Sequence, residues 1–346
     1  MSTRDVLEHV SLKHYTSLEL GGDARYFVEC ASVTDLQLAL EWARKKNLRV
    51  QILGGGSNIV FSDNGFDGLV IKINMRGISV HDDIVSTGAG EPWDSFVGRM
   101  IEYGLGGIEC LSGIPGLVGG TPIQNVGAYG QEVCETIVSV EALDRERLET
   151  VTFTNEECLF SYRTSRFKTT DAGRFVITAV EFKLNKNGKP AIRYPDVEKY
   201  FTAQGVQPTL LNVREAIRSI RKKKSMVLDP ADPYSRSAGS FFTNPVVSRE
   251  VFAETQRKWE SLEGTGSIPS YPSNDKVKIP AAWLVEHAGF VKGFRKGGIG
   301  ISANHSLALV NYGGTSEELL SLAHNIQRSV QSKFGVRLEI EPVVVV

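Results

Sequence analysis

From Gly104 to Val133 the chain reads GLGGIECLSGIPGLVGGTPIQNVGAYGQEV, thirty residues with nine glycines and two prolines. Neither a helix of ordinary length nor an unbroken strand carries that density of breakers, so the spacing predicts a folded loop with short helical pieces. Gly113, Gly116, Gly119 and Gly120, with Pro115 and Pro122, suit backbone conformations that most side chains forbid, at a cost in unfolded-chain entropy. Among them stand Ile108, Leu111, Ile114, Leu117, Val118, Ile123 and Val126, which predict a buried loop. A buried loop must satisfy its peptide groups, and a polar ligand lying against bare backbone is one way to do so.

A second cluster, LGGGSN at 53–58, follows the strand-like RVQIL and precedes the strand-like GLVIKI. Three glycines and a Ser-Asn pair between two β segments expose backbone N–H groups in the manner of a nest for diphosphate oxygens. The competing reading is a tight hairpin, which needs one or two glycines, and both readings stay open on this segment alone. A dinucleotide fingerprint of the Gly-x-Gly-x-x-Gly kind belongs between a strand and a helix. The nearest lookalike, GIGISA at 298–303, runs into the strand-like NHSLALVN. Any dinucleotide bound here is therefore held by another architecture.

The rest reads as α+β. Residues 31–47 predict a helix with Thr34 and Gln37 as its capping box and Leu36, Ala39, Leu40 and Ala43 on its apolar face. A shorter helix over 94–104 carries Phe96, Val97, Met100 and Ile101 on one side. A hairpin turns around Asp144 to Arg147, and RFVITAVEFKL is a further strand. Breaks are signalled at 185–190 and at 204–209. Past them, Asn212 and Glu215 are expected to cap NVREAIRSIRKKK. The last helix is capped by Thr315 and Glu318 and ended by Gly335, with Leu319, Leu322, Ala323, Ile326 and Val330 as its stripe. The closing VRLEIEPVVVV is expected to pair into a sheet as one strand.

A length of 346 residues, 41% hydrophobic and 23% charged, fits two or three globular domains. A net charge of -1 offers no bulk attraction to nucleic acid or to an anionic membrane. Cys30, Cys110, Cys134 and Cys158 lack metal-site spacing and read as reduced, buried thiols, so no metal is expected. The N-terminal residues contain no leader-like apolar stretch and nowhere do 18 apolar residues run together, so a cytoplasmic location is expected.

Four stretches offer chemistry. SAGSFFTNP at 237–245 sets Ser240 between Gly239 and two phenylalanines; a hydrolase nucleophile needs Gly-x-Ser-x-Gly, so alone it reads as a serine in a turn before Pro245. RKKKS at 221–225 closes a helix, where cations complement the dipole or clamp a diphosphate. In SYRTSRFK, Arg163, Arg166 and Lys168 stand beside hydroxyls, and solvation is the ordinary reading. In LEIEPVVVV, alternation puts Glu339 and Glu341 on one face, either as a solvated pair or with a partly buried acid of raised pKa. The six histidines are scattered, and periodicity singles none out.

LGGGSNIVFSDNGFDGLVI, the glycine-rich segment above, SYRTSRF, SAGSFFTNPVV and FGVRLEIEP occur in this order. Together they resemble the UDP-N-acetylenolpyruvoylglucosamine reductase family of bacterial peptidoglycan synthesis, in its longer type with a substrate-loop tyrosine, over nearly the whole chain. The resemblance implies an α+β fold of the vanillyl-alcohol-oxidase-like FAD-binding kind plus a substrate-binding domain. The implied division is 1–75 and 76–208 for two FAD-binding subdomains, with strand 336–346 packing back on the first, and 209–335 for the substrate. It implies non-covalent FAD, NADPH as hydride donor, UDP-N-acetylglucosamine enolpyruvate as substrate, and a monomer.

The resemblance also assigns residues. FAD contacts fall on Leu53, Gly54, Gly55, Gly56, Ser57 and Asn58 in the first cluster. In the second they fall on Ser112, Gly113, Ile114 and Pro115, then Gly119, Gly120 and Thr121, then Gln124, Asn125, Gly127, Ala128 and Tyr129. Ser240 is implied as general acid, and Arg163 with Glu341 as the pair handling the enolpyruvyl carboxylate. Tyr194, Lys224 and Asn244 are implied substrate contacts, with the choice among Lys222, Lys223 and Lys224 open at this point. Pro342 follows Glu341 where many members have Val-Arg; it lacks the N–H of a central strand, so an edge is expected there. The runner-up is an oxidase or dehydrogenase of the same fold on another substrate, distinguished by how fast its reduced flavin meets oxygen. A nucleotide-sugar binding protein without chemistry is the third reading, and the joint presence of Ser240, Arg163 and Glu341 speaks against it.

Overall fold

A computed structural model describes residues 6–190, 192–262 and 265–346. The chain gathers into two units, one of residues up to Val10 with Ala24–Gly56 and Phe66–Val227, the other of Ser11–Asp23, Ser57–Gly65 and Leu228–Val346.

In the first unit, strand Phe66–Ile73 runs parallel to both Asp23–Cys30 and Arg49–Leu53, and Leu7–Ser11 adds an outer edge. Parallel neighbours need a crossover, and helix Val33–Lys45 provides it, burying Leu36, Ala39, Leu40 and Ala43 as their spacing predicts. Its cap is Ser32, whose hydroxyl accepts the Asp35 N–H at 3.1 Å, not the expected Thr34. Asp35 in turn accepts the Ala31 N–H, and Gln37 reaches away to the Leu148 carbonyl. A second, five-stranded antiparallel sheet has the order Thr150–Thr154, Ile137–Asp144, Phe175–Lys183, Ile84–Gly88, Ile78–His81. Helix Trp93–Glu102 adds Trp93, Phe96, Val97 and Met100 to a core shared with Val28, Leu69, Ile71, Val140 and Phe182.

Helix Leu210–Lys223 also lies in this unit, although the sequence puts a break before it. Its Val213, Ala216 and Ile217 pack on Cys110, Val197 and Phe201, which holds it to the glycine-rich loop. Its cap is Thr209, accepting the Asn212 N–H at 3.2 Å, so the expected Asn212–Glu215 box is displaced by one turn.

The second unit holds an antiparallel sheet of order Ser237–Ser240, Ala308–Asn311, Ile299–Ile301, Arg295–Lys296. Helix Ser316–Phe334 buries Leu319, Leu322, Ala323, Ile326 and Val330 against Phe241, Leu284 and Leu309. Its Thr315–Glu318 capping box forms, and Gly335 ends it with φ 75°. GIGISA itself supplies strand Ile299–Ile301, and the following NHSLALVN supplies the expected strand, Ala308–Asn311.

The closing segment departs from the expected single strand. Ile340 makes an isolated bridge to Phe242, and only Val343–Val345 is a regular strand, parallel to Ile59–Phe61. The change of partner falls at Pro342, which has no N–H to donate. Before it, Glu341 N–H bonds the Phe241 carbonyl; after it, Val343 N–H bonds the Asn58 carbonyl. Among the described residues no helix is long and apolar enough to cross a membrane.

Candidate active site

The 104–133 segment folds as its composition predicts. Short 3-10 turns at Glu109–Leu111 and Val118–Gly120 punctuate it, and Gly113 and Gly116 adopt positive φ. It is fastened to the start of helix Trp93–Glu102 by Trp93 N–H to Gly116 O, Val118 N–H to Glu91 O and Trp93 Nε1 to Leu111 O, all within 3.0 Å. Gly113 is gripped from both sides: its N–H donates to Asp94 Oδ1 at 2.6 Å and its carbonyl accepts from Arg221 Nε at 3.1 Å. Arg221 Nη2 also holds the Met226 carbonyl at 2.7 Å, and its burial lowers its pKa from the ordinary value.

The two glycine clusters meet within this unit. A Cβ on Gly55 would stand 2.5 Å from Gly116 Cα, and one on Gly119 would stand 2.6 Å from Ala89 Cβ. Gly54 and Gly120 differ: their Cβ positions have no heavy atom within 4 Å, and neither has a left-handed φ. Neither packing nor conformation demands glycine there, so these two leave bare backbone beside open space. By contrast, several side chains expected at the cofactor bond inward. Ser112 Oγ donates to Glu109 O, Thr121 Oγ1 to Val118 O, and buried Asn125 bonds Glu132, Ser161 O and the Cys134 N–H.

Arg163 occupies a two-residue turn closed by reciprocal bonds between Ser161 and Thr164, with the left-handed φ of 54°. A non-glycine residue is strained there. Its Nη2 donates to Gly127 O at 2.6 Å, and its guanidinium lies 5.5 Å from the Tyr162 ring centroid. Tyr129, Tyr194 and Lys224 also come together in the first unit. The two rings meet edge to face at 5.4 Å, Lys224 Nζ lies 5.9 Å from the Tyr129 centroid, and Asp196 accepts from Nζ at 3.2 Å. Lys222 and Lys223 are exposed, whereas Lys224 is half-buried as the helix C-cap. Burial raises the Tyr129 pKa against the opposing charges of Arg221 and Lys224.

In the second unit Ser240 ends strand Ser237–Ser240. Ser237 pairs with Val310 and Ser240 with Ala308, so one extra residue is inserted. Gly239 takes φ 70° with open space at its Cβ position, which makes this a glycine bulge that re-aims the next side chain. Fully buried Phe241 fixes the backbone just after it, its N–H on Leu307 O at 2.8 Å and its carbonyl on the Glu341 N–H at 2.9 Å. Glu341 is half-buried, and its carbonyl accepts from Asn58 Nδ2 at 3.4 Å. Asn244 Oδ1 is occupied by the Ala281 N–H at 2.8 Å, at the start of helix Ala281–His287.

The family model for the C-terminal domain of UDP-N-acetylenolpyruvoylglucosamine reductase matches residues 229–345, and the FAD binding domain model matches residues 24–152. A UDP-N-acetylenolpyruvoylglucosamine reductase of Thermobifida fusca is 46% identical, with 99% of each chain covered. The chain belongs to the UDP-N-acetylenolpyruvoylglucosamine reductase family. Another reductase, from Streptomyces avermitilis, is 43% identical, covering 98% of this chain and 94% of its own. The crystal structure of the reductase from Thermus caldophilus superposes with a TM-score of 0.66 at 25% identity and 98% coverage of both chains.

The fold is accordingly the vanillyl-alcohol-oxidase-like FAD-binding fold with the reductase C-terminal domain, and the chain is an FAD-dependent oxidoreductase. Both glycine clusters lie wholly within the FAD-domain match, and Gly54 and Gly120 leave bare backbone there that could lie against a cofactor. Ser240, Asn244 and Glu341 lie within the C-terminal match, while Arg163, Tyr194 and Lys224 lie between the two matches. Sequence reasoning missed Arg221 as a brace, taking it as one of four helix-end cations. Its signal was position: it stands four residues after Ile217 on the buried face, where Lys222 and Lys223 do not. The cysteines are all free thiols; burial pushes Cys30, Cys110 and Cys158 up to about 12 and Cys134 to about 11.

Proposed function

We propose that this chain reduces the enolpyruvyl group of UDP-N-acetylglucosamine enolpyruvate to give UDP-N-acetylmuramic acid for peptidoglycan synthesis, with NADPH as electron source. The observation that carries this reading is the 46% identity to a named reductase over 99% of both chains. When bound, FAD reduced by NADPH supplies the hydride for the terminal carbon of the double bond.

An enol ether accepts hydride only if its electrons have somewhere to go, and the substrate carboxylate is that place. We assign Arg163 to the charge that collects there, through its planar fork of donors. The bond to Gly127 and the constrained turn support this role, because they orient the guanidinium before substrate arrives. A neutral Glu341 would donate a further hydrogen bond, as neutral acids do in sites that stabilise enolates. Ser240 donates the proton that the central carbon needs. A hydroxyl is a weak acid in water, but a carbanion-like carbon is a strong enough base to take its proton.

Lys224 is the lysine we assign to the substrate diphosphate, supported by its half-buried place beside Tyr129 and Tyr194. Tyr194 folds over the substrate. Asn244 meets the uridine side through its amide NH2, since its oxygen is already bonded. The enzyme acts as a cytoplasmic monomer, and its product feeds the wall synthesis on which cell shape and division depend. We retain 1–75 and 76–208 as FAD-binding subdomains within this reading.

The test is Ser240→Ala. It should keep FAD and still oxidise NADPH, while turnover of the enolpyruvyl sugar falls by roughly 10²- to 10⁴-fold. Near-native turnover would remove Ser240 as the acid.

A further inference from the structure

We propose that Lys72 is an anion-binding residue of the cofactor site, its ammonium supplying the positive charge that the 53–58 turn offers to the diphosphate of FAD. The proposal rests on the FAD reading above and adds a residue to it. Lys72 lies on strand Phe66–Ile73 directly beside Leu53, the last residue before the turn. Its neighbours Leu69, Val70, Ile71 and Ile73 are buried, as expected of a strand flanked by parallel partners, where a cation is the exception.

Lys72 Nζ donates to the Gly54 carbonyl at 2.5 Å. An ammonium has three donors, and Gly54 O is its hydrogen-bond acceptor among the described residues, so two donors remain for another acceptor. The carbonyl does not need a lysine for its own sake. The Cβ position of Gly54 is open, and an ordered water satisfies a backbone carbonyl nearly as well as a lysine does.

A half-buried cation without a bonded carboxylate is costly, and an arriving anion removes that cost. Burial lowers the Lys72 pKa from its ordinary value; Arg76 pushes the same way and Glu29 opposes. The charge, the free donors and the bare Gly54 backbone stand at one turn, and a diphosphate is the acceptor whose chemistry answers all three.

The experiment removes flavin from the full-length enzyme and titrates FAD and riboflavin by flavin fluorescence, for the parent protein, Lys72→Met and Lys72→Arg. The FAD Kd should rise about 10- to 100-fold in Lys72→Met and much less in Lys72→Arg, with the riboflavin Kd unchanged. Added salt should weaken FAD binding more steeply in the parent than in Lys72→Met. An unchanged FAD Kd, equal losses for FAD and riboflavin, or identical salt dependence would overturn the proposal, the last two reducing Lys72 to a brace for the turn.

Where Lys72→Met fails to fold by circular dichroism, the parent alone decides. Its FAD affinity should fall relative to riboflavin between pH 7 and pH 10, and parallel curves would count against Lys72. A parent protein that binds no FAD at all would instead overturn the FAD reading itself.

Discussion

A Cβ built on Gly55 would lie 2.5 Å from the Cα of Gly116 and 3.0 Å from its carbonyl carbon. The two glycine-rich segments therefore meet backbone against backbone, and no side chain fits at the crossing. That contact fixes the spacing of the clusters that present Gly54 and Gly120.

Gly55→Ala must force the segments apart, because the obstructing atoms are backbone and cannot rotate away. Overpacking of this kind costs about 1–3 kcal/mol. The variant should purify with markedly less flavin per chain and a lower melting temperature, read from the visible absorbance ratio and a thermal scan. Gly54→Ala, with open space at its Cβ, should leave the melting temperature nearly unchanged while still reducing flavin content. Full flavin occupancy in Gly55→Ala would mean that the crossing does not shape the cofactor site.

Asp94 accepts the Gly113 N–H and pairs with Arg214 at 2.6 Å and Arg218 at 2.8 Å. Burial works to raise its pKa, but the bonds from Arg214 and Gly113 and the two positive charges prevail, and the net shift is downward. A carboxylate lowered on folding adds stability that is fully present above the ordinary carboxylate range, near pH 4, and is lost as pH falls through the folded value. Urea midpoints measured from pH 7 to pH 3 should fall on the acid side. Asp94→Asn should be less stable at pH 7 and show a shallower acid decline. Parallel curves for the two proteins would sink this account of Asp94.

The lysines of RKKKS separate by burial. Lys224→Met should raise KM for the UDP-sugar about tenfold or more with flavin content unchanged, since charged hydrogen bonds are worth about 1.5–3 kcal/mol. Lys222→Met and Lys223→Met, both exposed, should change KM by less than about twofold. Steady-state kinetics on the three variants decides, and a larger effect at Lys222 or Lys223 would move the diphosphate contact to that residue.

Much of this architecture is written in the sequence because its signals are local. The Thr315–Glu318 box, the stripe from Leu319 to Val330 and the stop at Gly335 are all set by neighbours within a turn. The glycine-rich loop is equally legible, because its breakers exclude regular structure whatever surrounds it. Caps are less so. Ser32 and Thr209, not Thr34 and Asn212, make the capping bonds, since several polar residues near a helix start can serve and packing chooses the first turn.

The site shows the same limit. Ser240 is visible in SAGSFF, but the bulge that turns it depends on which residues of Ala308–Asn311 it faces, a pairing about seventy residues distant. The brace that Arg221 makes, and Lys72 altogether, are not legible in the sequence, because each looks like an ordinary lysine or arginine until its carbonyl partner is known. The terminal strand was overextended because apolar alternation says nothing about which neighbour each half pairs with, and the partner changes at Pro342.

The visible absorption spectrum of the purified protein tests the central claim most directly, recorded alone, after NADPH under nitrogen, and after UDP-N-acetylglucosamine enolpyruvate. Flavin bands that bleach with NADPH and return only with the enolpyruvyl sugar are the predicted result. A colourless protein that takes up no added FAD, or reduced flavin that the sugar fails to reoxidise, would contradict it.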